Sequence, residues 1–271
     1  MGFTTFNPSY ILGFSWEMIA AAEPITFAVD DDTRVSGLLQ APARARACYV
    51  LAHGAGAGMN HPFMAAVAAE LALRGIATLR YQFPYMERGG KRPDPPHLAQ
   101  ATVRAAAATA LRRLPELALI AGGKSFGGRM TSQTQAKAPL PGVRGLAVLG
   151  FPLNAAGQPS PDRGKHLFDV QIPMLFLQGT RDTLAVLDQL VPHCQALGAR
   201  ASLRLFENAD HSFHVPARTG RKDAEVRGQM LDALAVWIDG VGQSPSASAM
   251  SPSTPPTNRQ PTNSVKPWRD T

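Results

Sequence analysis

The 271-residue sequence has few cysteines and no long apolar run, and each shortage excludes a class of protein. Its two cysteines, Cys48 and Cys194, cannot build a disulfide framework, and their spacing matches no zinc motif. We therefore expect a reducing, cytoplasmic location, with both thiols packed as small core residues. No uninterrupted apolar stretch approaches the ~18 residues of a membrane-spanning helix, so no membrane span is predicted.

Concentrated charge is also lacking, although the formal net charge is +7. The arginines are scattered singly, and the one local basic cluster consists of Arg88, Lys91 and Arg92. Proteins that bind nucleic acid usually gather basic residues into a patch or a run. We therefore expect no nucleic-acid partner.

Both ends of the chain differ in composition from its middle. Residues 1–22 are irregular and rich in aromatics, but the first basic residue is Arg34, so they lack the basic start of a signal peptide. Met18 is an alternative start. Residues 243–271 are rich in Ser, Pro and Thr, a composition that predicts disorder. We expect one globular domain over residues 23–242.

Short apolar runs alternate with helical patterns throughout that domain. The predicted strands are Val35–Leu39, Ala47–Ala52, Ile76–Tyr81, Leu117–Ala121, Leu146–Phe151, Met174–Gln178 and Ser202–Phe206. The predicted helices begin at Pro62, near residue 97, after Ser125, near Leu184 and before Val226. Alternation of this kind predicts an α/β fold with a mainly parallel sheet, whose chemistry lies at the carboxyl ends of the strands.

A candidate nucleophile, Ser125, follows one of these strands. Gly123 and Gly127 flank it in the pattern G-x-S-x-G, which is typical of a sharp strand-to-helix turn that exposes a serine hydroxyl. Small residues are needed on both sides because the backbone doubles back there. The N–H groups of the following helix then point toward developing negative charge.

The same Gly-Lys-Ser string also occurs in phosphate-binding loops. That motif requires a second glycine five residues before Gly123, where this chain has Ala118 inside a predicted strand. The loop is too short to wrap a phosphate chain, so we favour the nucleophile interpretation.

A serine nucleophile needs a base, and the base needs an orienting carboxylate. Asp182 follows the predicted strand Met174–Gln178, and His211 lies in the loop after Ser202–Phe206. The order Ser, Asp, His is that of a serine nucleophile on an α/β sheet. Asp210 and His214 are alternatives for the acid and the base, although Asp210 adjoins His211 too closely to bind its ring.

Backbone donors for an oxyanion are expected in two places. The strand that ends at Ala52 continues into a glycine-rich loop, where the N–H of Ala55 or Gly56 is one candidate, and the N–H of Phe126 is the other. The alternative interpretation is a glycine-rich loop that merely permits tight packing.

Residues 83–96 form a long connection that we expect to line the entrance of a site. His53, Tyr85 and Arg88 are candidates for substrate contact. We hypothesise that Arg88, Lys91 or Arg92 attracts an anionic group, the alternative being a solvated surface loop.

Taken together, these motifs resemble those of the α/β-hydrolases. Within that superfamily the chain resembles a dienelactone-hydrolase-like branch that includes the testis-expressed and histone-acetyltransferase-complex regulatory-subunit hydrolase-like domains. The matching segments are residues 53–56, 81–87, 122–130, 150–153, 178–182 and 209–213. The resemblance implies the α/β-hydrolase fold, with Ser125, Asp182 and His211 as nucleophile, acid and base. One departure is Asn154-Ala155-Ala156, which replaces a His-Pro-Pro-like stretch.

The sequence therefore predicts a serine hydrolase that cleaves a small ester, thioester or amide through an acyl-enzyme on Ser125. Its partner is a small acyl substrate, and neither a metal nor another cofactor is implied. Because some relatives act as interaction subunits, the alternative is a non-catalytic interaction or scaffold protein on a retained hydrolase fold. The sequence predicts no oligomeric state.

Overall fold

The computed structural model describes residues 20–155, 157–158 and 160–243. The predictions about a signal peptide, about Met18 as a start and about a disordered tail fall outside these residues, except for a few positions at their edges.

Eight strands form one sheet in the order β1-β2-β4-β3-β5-β6-β7-β8. Strand β1 pairs antiparallel with β2, β2 pairs antiparallel with β4, and every pairing from β4 through to β8 is parallel. The predicted mainly parallel sheet is therefore confirmed. The strands are β1 (Glu23–Ala28), β2 (Arg34–Gln40), β3 (Ala47–Ala52), β4 (Ile76–Tyr81), β5 (Ala118–Lys124), β6 (Val143–Leu149), β7 (Met174–Gly179) and β8 (Ala201–Phe206).

Strand β1 was not predicted from the sequence. It lies at one edge of the sheet, and of its six residues only Phe27 is buried. A strand with a single buried side chain has no apolar pattern to detect. The central strands β3, β4 and β7 are buried at all six positions, which explains their continuous apolar runs.

Among the described residues, six helices connect and cover the strands. Three of them begin with a proline at the first helical position, where the missing N–H is not needed. Three 3₁₀ segments add further connections at Pro161–Asp169, Gly198–Arg200 and Ala217–Thr219. The helices are α1 (Pro62–Leu73), α2 (Pro84–Glu87), α3 (Pro96–Arg113), α4 (Phe126–Lys137), α5 (Leu187–Ala196) and α6 (Asp223–Gln243).

Helix α5 begins later than its apolar spacing predicts. The pattern starts at Leu184, but the backbone N–H of Leu184 donates to the Asp182 carboxylate at 2.8 Å, within a turn. That hydrogen bond holds the chain in a non-helical conformation after Asp182, so the regular helix starts three residues further on.

The core lies on both faces of the sheet. Helices α1 and α6 cover one face, where Tyr49 and Leu51 of β3 are buried, and α3 and α5 cover the other, where Cys48 and Val50 point. Cys48 and Cys194 are both unpaired and buried, as predicted. Among the described helices, none is long and apolar enough to cross a membrane.

Candidate active site

Ser125 stands at the sharp turn between β5 and α4. Its backbone has φ +50° and ψ −112°, a conformation that L-residues rarely adopt. A Cβ atom at Gly123 would lie 2.3 Å from the carbonyl oxygen of Ala52, and one at Gly127 would lie 2.6 Å from that of His53. The two glycines are therefore required because the turn presses against the end of β3.

The Ser125 hydroxyl joins a chain of two hydrogen bonds. Its Oγ lies 2.8 Å from Nε2 of His211, and Nδ1 of His211 lies 2.6 Å from Oδ2 of Asp182. The Asp182 side chain is fully buried, whereas that of His211 is 23% exposed. A carboxylate only accepts, so the neutral ring carries its proton on Nδ1 and leaves Nε2 to accept from the serine.

Asp182 is held by two further donors. The Leu184 N–H donates to Oδ1, and the side-chain amide of Gln178 donates to Oδ2. Gln178 is itself fixed, since its Oε1 accepts the N–H of Phe151 at 2.9 Å. Hydrogen bonds from several donors hold this buried carboxylate in one orientation. Sequence reasoning missed Gln178, which stands in a strand that reads as apolar.

The loop that carries His211 engages both of the alternative residues. Asp210 accepts the N–H groups of Ser212 and His214, at 2.8 and 3.0 Å. The His214 ring pairs with Asp223 at 2.8 Å. The structure therefore places the His211 ring against Ser125, whereas Asp210 and His214 are bonded to other groups.

The hydrogen bond made by the Gly56 N–H helps to choose between the candidate oxyanion donors. The Gly56 N–H donates to the Tyr85 hydroxyl at 2.9 Å, which corrects the prediction that Gly56 is free to serve. Ala55 lines the cavity at Ser125. The Phe126 N–H lies at the first position of α4, where a backbone donor has no intrahelical acceptor.

A cavity of about 380 Å³ opens beside Ser125. Its apolar wall comes from α1 and from Leu184. In α1 the Phe63 ring stacks parallel to Phe213, with centroids 6.1 Å apart. A site of this size and character suits a small ligand with an apolar group. Its lining consists of Gly54, Ala55, Ala57, His61, Phe63, Met64, Lys124, Ser125, Leu184, His211 and Ser212.

Lys124, which precedes the candidate nucleophile, also lines this cavity. Its Nζ is buried, has no hydrogen-bond partner among the described residues, and lies 5.9 Å from the centroid of the Phe213 ring. Burial lowers the pKa of Lys124 to about 8. Within the residues that the structure describes, no group of three or more His, Cys, Asp or Glu side chains is arranged to hold a metal ion.

The predicted substrate contacts need correction. His53 is buried, with Nδ1 2.7 Å from the Gly54 carbonyl oxygen and Nε2 accepting the Phe83 N–H at 3.1 Å. Burial lowers the pKa of His53 to about 4, so its neutral ring ties two loops together. Tyr85 is buried behind Gly56 and likewise holds a loop rather than the cavity wall.

Arg88 is placed away from the cavity as well. It forms an ion pair with Asp94 at 2.7 Å, and Asp94 also accepts the Tyr85 N–H at 2.8 Å. Neither Arg88 nor its neighbours Lys91 and Arg92 line the cavity at Ser125. The hypothesis that this basic cluster binds an anionic substrate group there is therefore not supported.

Solved structures with a similar fold include three bacterial proteins. A dienelactone hydrolase from Anabaena variabilis is 20% identical with a TM-score of 0.65, covering 81% of this chain and 97% of its own. An alpha-beta serine hydrolase homologue from Coxiella burnetii is 18% identical, with a TM-score of 0.64 and coverages of 78% and 97%. An α/β serine hydrolase without a lid from Xanthomonas campestris is 21% identical, with a TM-score of 0.63 and coverages of 80% and 95%.

These likenesses establish the α/β-hydrolase fold. A family model described as "Alpha/beta hydrolase domain" matches residues 45–239, which include β3 to β8 and all six helices except the end of α6. The matched range also contains Ser125, Asp182 and His211. The chain therefore belongs to the alpha/beta hydrolase domain family.

Proposed function

We propose that this protein is a serine hydrolase that cleaves a small ester, thioester or amide through an acyl-enzyme on Ser125. The observation that carries the proposal is the hydrogen-bonded chain from Ser125 through His211 to the buried Asp182, at 2.8 and 2.6 Å. Nucleophile and base lie within hydrogen-bonding reach, and a carboxylate orients the base.

The proposed reaction has two halves. His211 Nε2 takes the Ser125 hydroxyl proton as the oxygen attacks the substrate carbonyl, and the carbonyl π electrons move to its oxygen. When the tetrahedral intermediate collapses, the bond to the leaving group breaks and His211 gives that group the proton. Water then attacks the acyl-enzyme in the same way, releasing the acid and restoring the Ser125 hydroxyl. Asp182 stabilises the imidazolium that forms in each half.

The backbone N–H groups of Ala55 and Phe126 are the proposed donors to the oxyanion. Phe126 follows the nucleophile directly at the start of α4, and Ala55 lines the cavity from the loop after β3. Tyr85 supports this loop by accepting the adjacent Gly56 N–H, although it does not line the cavity itself. Each oxyanion donor of this kind typically contributes about 2.7–4 kcal/mol to transition-state stability.

The apolar wall formed by Phe63, Met64 and Leu184 supports a substrate with a small apolar acyl or alcohol group.

We also infer that the chain belongs to the branch with the testis-expressed and regulatory-subunit hydrolase-like domains, on the matching segments given above. The proposed hydrolase domain is residues 23–242, supported by elements that run from Glu23 to Gln243. A cytoplasmic location stays a prediction.

The experiment that tests the proposal combines a fluorophosphonate probe with short-chain nitrophenyl esters. The wild-type protein is expected to be labelled on Ser125 and to hydrolyse the esters. Ser125→Ala should abolish labelling and lower kcat by about 10⁴–10⁶-fold.

Ser132→Ala is the matched control, because Ser132 also lies 2.8 Å from a histidine Nε2 but is buried within α4. This variant should keep both labelling and turnover. Labelling that survives Ser125→Ala would contradict the proposed nucleophile. A folded wild-type protein that is neither labelled nor active on a broad acyl panel would instead support the interaction or scaffold alternative.

A further inference from the structure

A second cavity of about 450 Å³ lies between α3, α4 and the 3₁₀ segment Pro161–Asp169. Its lining shares no residue with the cavity at Ser125. Nothing in the proposed acyl transfer uses it. The lining consists of Pro96, Gln100, Arg129, Gln133, Ala136, Lys137, His166 and Asp169.

The oxygen atoms of the side-chain amides in this cavity already accept hydrogen bonds from neighbouring residues. Gln100 Oε1 accepts the Lys137 ammonium at 2.6 Å, and Gln133 Oε1 accepts the Gln100 amide at 3.1 Å. The Gln133 amide nitrogen and the remaining Lys137 protons are left as donors. The cavity wall therefore offers donors, and the one carboxylate in its lining is the exposed Asp169.

Arg129 is the least satisfied cation in this cavity. Its guanidinium is half-buried and has no hydrogen bond or ion pair with any described residue. Burial, followed by the neighbouring Arg163, lowers the pKa of Arg129. A half-buried guanidinium with five unused donors gains from a bidentate oxyanion.

The histidine in the cavity wall adds no positive charge at neutral pH. His166 Nε2 lies 2.8 Å from the Ser132 hydroxyl, and burial, then Arg129, lowers the pKa of His166 to about 4. At neutral pH the ring is uncharged. The cationic groups that line the cavity are thus Arg129 and Lys137, on one stripe of α4.

We propose that this second cavity binds a small polyanion with carboxylate or phosphate oxygens, held by Arg129 and Lys137 and by the amide of Gln133. The ligand chemistry follows from the donor-rich wall and the unpaired guanidinium. The site is separate from the proposed acyl-transfer chemistry, so it stands whether or not Ser125 is a nucleophile.

Isothermal titration with inorganic pyrophosphate and, separately, with citrate tests the proposal at constant ionic strength. The wild-type protein should show saturable binding of at least one anion at concentrations up to about 10 mM. Whichever anion binds more tightly distinguishes a phosphate ligand from a carboxylate ligand. Absence of saturable binding for both would overturn the proposal.

Arg129→Met should raise Kd by about tenfold or more, and Lys137→Met should raise it by a smaller factor. Arg34→Met is the matched control, because it removes the same charge from an exposed position on β2 and should leave Kd unchanged. Equal weakening by Arg34→Met would mean attraction to net charge alone and would overturn the proposal. If Arg129→Met does not fold, as judged by circular dichroism, Lys137→Met decides between these outcomes.

Discussion

Two serine–histidine pairs in this molecule have the same separation and different surroundings. Ser125 Oγ lies 2.8 Å from Nε2 of His211, and Ser132 Oγ lies 2.8 Å from Nε2 of His166. The two serines are only seven positions apart, on either side of the first half of α4. Judged by that distance alone, each pair would qualify as nucleophile and base.

The environment of each imidazole separates the two pairs. His211 bonds the buried Asp182 through its second nitrogen, so a carboxylate orients this ring. His166 has a backbone partner in Arg163 and a destabilising cation in Arg129. The second ring therefore resists protonation, which a general base has to undergo.

The serines differ as well. Ser125 lies at a turn with φ +50° and lines a cavity. Ser132 is buried in the middle of a helix, and its hydroxyl also lies within hydrogen-bonding distance of the Arg129 carbonyl oxygen, at 3.0 Å. A short Ser–His contact therefore suits nucleophilic chemistry when a carboxylate lies behind the ring and open space lies in front of the hydroxyl.

Among the changes that test the difference between the two pairs, removing the carboxylate behind His211 has the largest expected effect. Asp182→Asn should lower kcat by about 10⁴-fold, because the amide favours the wrong tautomer of His211 and cannot stabilise the imidazolium. Steady-state hydrolysis of a nitrophenyl ester measures this. Asp169→Asn, which changes a carboxylate near His166, should leave kcat unaltered. A small loss in Asp182→Asn would remove the distinction between the pairs.

The cation beside the first pair should affect stability. Below pH 8 the Lys124 ammonium is charged in both states and pays its burial cost when folded, so Lys124→Met should stabilise the protein at pH 7 by up to about 3 kcal/mol. Between about pH 8 and 10.5 folded Lys124 is neutral while the unfolded residue keeps its proton. Wild-type stability therefore rises with pH in this window, and the stability advantage of Lys124→Met over the wild type shrinks.

Urea unfolding of both proteins from pH 7 to 10.5 measures this convergence. A constant difference between Lys124→Met and the wild type would show that Lys124 does not change its protonation state in that window. Lys222→Met, at an exposed position, is the control and should show no such trend.

The buried, neutral ring of His166 should make the folded protein less stable in acid. The pKa of His166 falls from 6.5 to about 4 on folding, so the unfolded chain binds a proton in that window that the folded chain does not. Wild-type stability should therefore decline as pH drops from about 6.5 to 4, and His166 should account for about 2 kcal/mol of the loss, allowing for its partial exposure.

Denaturant unfolding at several pH values compares the wild type with His166→Gln, whose stability should fall less steeply on acidification. His53, with a pKa also lowered to about 4, keeps its own contribution in both proteins. Parallel pH curves for the two proteins would refute the buried neutral state of His166.

The smallest expected effect concerns the loop that borders the first pair. Tyr85→Phe removes the acceptor of the Gly56 N–H and should lower kcat by several-fold up to about tenfold, because the loop that carries Ala55 loses a fixing hydrogen bond. KM should change less than kcat. An unchanged kcat in Tyr85→Phe would remove Tyr85 from the support of the site.

Much of the fold was accessible from the sequence because buried parallel strands carry continuous apolar runs. Seven of the eight strands and the five longer helices were predicted, whereas β1 was not, since it buries only Phe27. Within the site, the prediction of Ser125, Asp182 and His211 rested on their order and on their positions after strands. Their catalytic roles stay a proposal.

Other parts of the site carry no local signal. Gln178 reads as part of an apolar strand, and Lys124 reads as a spacer between Gly123 and Ser125. His53 and Arg88 looked like substrate contacts because they follow strand ends, yet both are tied to other protein groups. A polar side chain near a strand end has several neighbours within reach, and the sequence does not say which it bonds.

By itself, the sequence determined the alternation of strands and helices and the glycines that permit the turn at Ser125, because apolar periodicity and the absence of a Cβ are local properties. The tertiary structure decided which histidine faces which serine, and which of them has a carboxylate behind it. Those relations join Ser125, Asp182 and His211 across 86 residues of chain, and they depend on how the β5, β7 and β8 ends are brought to one edge of the sheet.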